Sequence, residues 1–167
     1  SALLRDYLPD EIGYFGFDIN ERFVRHANDK FGSMVWVGDV RDPEAYRGLE
    51  SDVVVLVDAL HHVGEVDTQS VLGHVVNAAK KKIIICEPFG DQYFSMVERW
   101  LPRRLARWFY NWIESDGVGE STYDRIKTKG ELSDLLEKGF GVLDRPTSCE
   151  QVGQEDLIAV YHVYFLT

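Results

Sequence analysis

The stretch Asp52 to Val63, DVVVLVDALHHV, constrains the chain more than any other. Val53 to Val57 are five consecutive apolar residues, too few to span a membrane and too continuous for a strand with one wet face. They read as a central parallel strand covered on both faces. The strand ends at Asp58, and His61 and His62 follow within a turn. In open α/β sheets ligands gather beyond the carboxyl ends of the strands, so a site is expected at this tip.

The flanking sequence supplies the rest of such a sheet. Leu3, Leu4, Tyr7 and Leu8 recur at helical spacing before Pro9, which predicts an amphipathic helix over residues 1 to 8. Tyr14 to Asp18 is a short aromatic strand. Asn20 is then an N-cap, Glu21 suits the positive helix end, Phe23, Val24, Ala27 and Phe31 form one face, and Gly32 stops the helix. Met34 to Val37 is the next strand, followed by Gly38-Asp39-Val40, and Asp42-Pro43 opens a short helix toward Tyr46. Beyond the organising strand, Asp67 caps a helix with Val71, Leu72, Val75, Val76 and Ala79 on one side, and Lys80 to Lys82 complement its negative end. Lys82 to Glu87, KIIICE, is another fully buried strand, stopped by Pro88. Alternation of this kind implies a parallel sheet with right-handed crossovers.

From Phe89 the character changes. Residues 93 to 113 hold three of the four tryptophans, with Arg99, Arg103 and Arg107 four apart, and Pro102 separating two helices. Ser115 to Tyr123 is a polar loop. Thr128 and Glu131 form a capping box for a helix that carries Leu132, Leu135 and Leu136 and ends at Gly139. Val142 to Asp144 and Leu157 to Phe165 read as two strands joined by the polar stretch Arg145 to Asp156, which has no helical pattern. The two strands should therefore be antiparallel.

Composition narrows the partners. A net charge of -10 disfavours a nucleic-acid footprint, which needs accumulated Lys and Arg, and leaves a small molecule as the expected partner. Two cysteines far apart form neither a disulfide framework nor a metal site, and no metal-ligand spacing occurs among the histidines, so no metal is expected. No apolar run approaches the roughly 18 residues of a spanning helix, and there is no signal-peptide pattern. The expected setting is cytoplasmic. The length of 167 residues suits one domain, 1 to 167, with the aromatic insert at about 92 to 125.

The chemistry lies in acids at successive strand ends: Asp18, Asp39, Asp58 and Glu87. Each alone is also what a solvated, strand-ending carboxylate looks like. Together, YFGFDIN, WVGDV, DVVVLVDALHHV and KIIICEPF resemble the strand-end motifs of the class I S-adenosylmethionine-dependent methyltransferases, in the small-molecule branch related to ubiquinone and menaquinone biosynthesis. The later IKTKGELSDLLEKGFGVL is similar to that branch's helix and first hairpin strand. The resemblance implies a Rossmann-like α/β fold, mostly parallel and seven-stranded, with a C-terminal antiparallel hairpin and an inserted helical lid. It also implies S-adenosylmethionine as cofactor. By position, Asp18 would hold its ribose and Ile19 would pack on the adenine. Asp39 would accept the adenine amino group and Val40 would offer its backbone N–H, while Asp58 and Ala59 would border the methionine moiety. The family's first strand and glycine-rich turn match nothing here, so they are expected upstream of Ser1.

Methyl transfer needs alignment, exclusion of water and, for a protonated acceptor, a base. His61 and His62 are the candidates; adjacent residues point in different directions, so at most one is expected to face the cleft, with His62 preferred, and the alternative is that both only bond the turn's backbone. Tyr93, Trp100, Trp108, Tyr110 and Trp112 would wall the acceptor pocket if the insert is a lid. The insert reads otherwise as a structural helix pair or as a membrane-surface face, the latter not favoured. The leading expectation is methyl transfer to a small molecule. Its rivals are a non-catalytic, methyltransferase-like regulatory or scaffolding protein and an NAD-dependent oxidoreductase.

Overall fold

The structure, a computed structural model, describes residues 11–32, 34–88, 102, 105, 129–143, 147–155 and 158–165. They fall into two units that divide after Arg47, and each is taken by itself.

In the first unit, β1 (Phe15–Asp18), α1 (Glu21–Phe31) and β2 (Met34–Val37) form a strand, helix and strand whose two strands pair in parallel. The helix begins and ends where its local chemistry dictates. Asn20 is extended and its side chain accepts the Arg22 N–H at 3.0 Å; Gly32, at φ 56°, donates its N–H to Asn28 O. Val24 and Ala27 are buried, but Phe23, expected on the same face, is exposed: one residue is a 100° turn of the helix, enough to carry it off the buried stripe. Asn28 performs a task its position in a helix does not announce. Its amide donates to Val35 O at 2.7 Å and accepts from Val35 N at 3.1 Å, so it stitches α1 to β2 as a strand partner would. Asp42 caps a 3-10 turn, Pro43–Tyr46, that buries Ala45. Gly38 sits at a close approach, where a Cβ would stand 3.1 Å from Phe17 Cδ2 and 3.2 Å from Ala45 Cβ, so these neighbours would have to give by a few tenths of an ångström.

In the second unit, β3 (Ser51–Val57), α2 (Glu65–Ala78), β4 (Ala79–Pro88), α3 (Lys129–Gly141), β5 (Thr147–Glu155) and β6 (Ile158–Phe165) give a four-stranded sheet of order β3-β4-β6-β5. β3 and β4 are parallel, while β4 with β6 and β5 with β6 are antiparallel, so the sheet is mixed. Its core is Ile83 and Ile85 of β4, Tyr161 and Val163 of β6, Val71, Leu72, Val75 and Val76 of α2, and Leu132, Leu136 and Phe140 of α3. The helices meet closely at Gly139, where a Cβ would collide with Leu72.

Several expectations change. The organising strand is not central among the described residues: β3 stands at the end of its sheet. Among the described residues only one of its faces is covered, with Leu56 buried and Val53, Val55 and Val57 exposed by 36 to 43%. Helix α2 starts before Asp67, because the Gly64 carbonyl already accepts from Asp67 N and Thr68 N, each at 3.0 Å. Asp67 lies in the first turn instead of capping it. Lys80 to Lys82 belong to β4, where Lys80 pairs with Glu50 at 2.8 Å and Lys81 with Asp52 at 3.0 Å. Helix α3 continues past Gly139 to Gly141, and Val142 and Leu143 turn where a strand was expected. The polar stretch taken for a connection contains β5, from Thr147 to Glu155, which pairs along β6. The antiparallel hairpin was anticipated; its first strand was not. The expected helix over residues 1 to 8, Thr128 of the capping box, and nearly all of the insert at 92 to 125 lie outside the described residues.

Candidate functional site

In the first unit, Asp18 and Asp39 follow neighbouring parallel strands and lie at the same carboxyl end, with Gly38 N donating to Asp18 O at 3.1 Å. Asp18 Oδ1 accepts from Asn20 N at 2.8 Å, which leaves Oδ2 open among the described residues. Ile19 presents an exposed apolar side chain beside it. Asp39 is chelated by Arg41, with Nε to Oδ1 at 2.9 Å and Nη2 to Oδ2 at 2.6 Å. The Arg41 guanidinium holds the Asp39 carboxyl below the usual carboxylate range, against a smaller effect of burial. Val40 accepts from the Tyr46 hydroxyl at 3.1 Å, and its N–H has no hydrogen-bond partner among the described residues. Burial, and then the charge on Asp39, raise the Tyr46 phenol above its ordinary value.

The second unit builds its site on a turn. β3 ends at Val57, and Asp58 N still donates to Cys86 O at 3.0 Å, so the ladder runs one residue further than the strand. Asp58 then takes φ 50°, the one non-glycine residue with positive φ among the described residues. That left-handed step costs an ordinary side chain roughly 1–2 kcal/mol, and Asp is among the residues that tolerate it. It feeds a 3-10 turn, Leu60–His62, whose Leu60 is buried.

Beneath this turn lies Glu87, 1% exposed. Its Oε1 accepts from Ala59 N and Leu60 N, each at 2.8 Å, and its Oε2 accepts from His61 N at 3.3 Å and contacts His61 Nδ1 at 2.9 Å. A buried carboxylate is tolerated when N–H donors surround it, and here three come from consecutive residues. The Asp58 carboxyl is raised, first by desolvation and then by the nearby charge of Glu87. The His61 and His62 rings stand 4.0 Å apart between centroids and tilted by 43°, so they lie against each other instead of diverging. Their side chains are not equivalent, since that of His61 is only 9% exposed and is held by Glu87.

The structure therefore brings Asp58, Ala59, His61 and His62 together and adds Glu87, which in the sequence is only one more strand-end acid. Its inward direction shows only in the folded strand, where Ile83, Ile85 and Glu87 share the buried face of β4; the continuous apolar run Ile83 to Cys86 has no alternation that would give it away. Tyr93, Trp100, Trp108, Tyr110 and Trp112 lie outside the described residues. Among the described residues no group of acids, histidines and cysteines has the arrangement of a metal site, and no helix is long and apolar enough to cross a membrane.

No protein-family model and no curated protein matches the chain. Solved structures do. LepI in complex with S-adenosylmethionine superposes with a TM-score of 0.59 at 14% identity, over 98% of this chain and 39% of that one. The plantazolicin methyltransferase BamL, in complex with a triazolic desmethylPZN analogue and S-adenosylhomocysteine, gives 0.64 at 10% identity, over 98% and 70%. Magnesium protoporphyrin IX methyltransferase (ChlM) from Synechocystis PCC 6803, with S-adenosylhomocysteine bound, gives 0.53 at 12% identity, over 90% and 63%. The chain spans about two fifths of the length of the first of these structures. With its α/β units and mixed sheet, it has the Rossmann-like fold of these solved methyltransferases.

Proposed function

We propose that the chain transfers a methyl group from S-adenosylmethionine to a small-molecule acceptor. The observation that carries this is the left-handed turn at Asp58, held from below by Glu87 at the carboxyl end of a parallel strand, in a fold whose solved relatives bind S-adenosylmethionine or S-adenosylhomocysteine. The residues of each unit suit the cofactor's chemistry. Asp18 has an oxygen open to a ribose diol, Ile19 offers apolar surface to a base, and the Val40 N–H can reach a ring nitrogen. Asp39 is occupied by Arg41, but a carboxylate has lone pairs to spare for an exocyclic amine. In the second unit, Asp58 and Ala59 would border the methionine end, and the carboxylate of Asp58 would favour a sulfonium cation.

When bound, the cofactor supplies an electrophilic methyl on a positively charged sulfur. What the chain adds is orientation and a proton acceptor, for which His61 and His62 are the candidates. The acceptor walls assigned to Tyr93, Trp100, Trp108, Tyr110 and Trp112 belong to the same proposal. So does a cytoplasmic setting, which rests on cysteine usage alone.

Titration calorimetry tests the proposal with S-adenosylmethionine, S-adenosylhomocysteine and NAD. The expected outcome is heat from the first two and none from NAD, with Asp18→Ala weakening the binding by about tenfold, the cost of a hydrogen bond or two to a charged group. NAD as the sole binder would point to the oxidoreductase, and no binder at all to a non-catalytic protein of this fold.

A further inference from the structure

We infer that Glu87 is a positioning residue that fixes the hydrogen of His61 on Nδ1, so that Nε2 is the ring atom that takes and releases a proton. The carboxylate is 1% exposed and meets three backbone N–H groups and one imidazole nitrogen. Both its oxygens are committed as acceptors to this turn, Oε1 to Ala59 and Leu60 and Oε2 to His61. A carboxylate so surrounded can only accept, and the imidazole nitrogen at 2.9 Å must then be the donor. The ring is also confined: its side chain is 9% exposed, and the His62 ring lies 4.0 Å away. Nδ1 therefore keeps its hydrogen whether or not the ring is charged, and the exchangeable position is Nε2.

The three backbone bonds alone would make Glu87 a fastener for the turn. The fourth distinguishes it, because it selects one of two tautomers. The inference rests on the proposed methyl transfer only for the use of the proton. In that use, the acceptor's X–H bond breaks as its proton passes to Nε2. The freed lone pair forms the bond to the methyl carbon, the carbon–sulfur bond breaks, and a neutral thioether leaves. The imidazolium so formed keeps its Nδ1–H against Glu87.

Glu87→Gln separates the two roles. The amide oxygen can still accept from Ala59 and Leu60, while the amide nitrogen turns a donor toward Nδ1 and demands the opposite tautomer. Two-bond 1H–15N correlation spectra of the 15N-labelled chain at neutral pH, with His61→Phe to assign the signals, read the tautomer without cofactor or acceptor. The expected result is Nδ1–H in the unsubstituted chain and Nε2–H in Glu87→Gln, a change in their ratio on the order of tenfold or more, as for exchange of a hydrogen bond to a charged group. Nε2–H in the unsubstituted chain, or the same tautomer in both proteins, overturns the inference. Should Glu87→Gln not fold, the unsubstituted spectrum decides alone. Calorimetry that finds no S-adenosylmethionine binding would remove the proposed transfer and leave the tautomer result standing.

Discussion

Asp58 bears both a left-handed backbone and a carboxyl whose ionisation is opposed by desolvation and by Glu87. The two effects can be separated, since Asn tolerates the same backbone while carrying no charge. With a folded pKa raised above the unfolded one, the native state binds the extra proton, and stability falls as pH climbs through the raised value. Above it, the ionised Asp58 is a standing cost. Asp58→Asn should therefore raise the urea midpoint at pH 7, and the gain should vanish below the ordinary Asp value of about 3.9, where both states are protonated. An equal or lower midpoint at pH 7 would show that the carboxylate is better stabilised than its surroundings imply. Asp58 and Glu87 were both legible as strand-end acids. Their opposite roles were not, because one faces out from a turn and the other faces into the core.

At the scale of elements, the ends of α1 were readable because capping is a matter of a few neighbouring residues: Asn20 accepts from a backbone group two positions on, and Gly32 supplies its own left-handed φ. Asn28 was not readable. It bonds to Val35, seven residues away and in a different element, and nothing in its helical position distinguishes it from a solvated Asn. Asn20→Ala should cost about 1 kcal/mol, the usual loss of one cap. Asn28→Ala should cost more, about 2 kcal/mol, since it leaves both the N–H and the C=O of Val35 without their partner. Chemical denaturation of the two variants side by side checks the order, and a smaller loss for Asn28→Ala would mean that water replaces both bonds. β5 was missed for a related reason. TSCEQVGQE has no apolar alternation to give it away, and it is a strand because β6 offers it a ladder.

Across the whole molecule, sheet order and helix packing decide what is core. Leu136 of α3 is 0% exposed, whereas Val66 of α2 is 91% exposed. Leu136→Ala should destabilise the protein by about 2–5 kcal/mol through lost burial and the cavity left behind. Val66→Ala should be within about 0.5 kcal/mol of neutral. Thermal or urea unfolding compares them directly, and similar losses would contradict the packing of α3 on α2. By itself, the sequence determined the local features of this protein: the apolar runs of β3 and β4, the caps of α1, the acids at the strand ends and the alternating strand-and-helix class. These depend on residues close together along the chain, where periodicity and backbone chemistry act directly. Only the tertiary structure decided that β3 stands at the end of its described sheet with one face exposed, that a polar stretch is strand β5, and that Glu87 turns inward to hold Ala59, Leu60 and His61. Those outcomes depend on which strands share hydrogen bonds and which buried polar groups find donors, and the partners lie far apart in the chain: Ala59 and Glu87 are 28 residues apart, and Lys82 of β4 pairs with Tyr164 of β6.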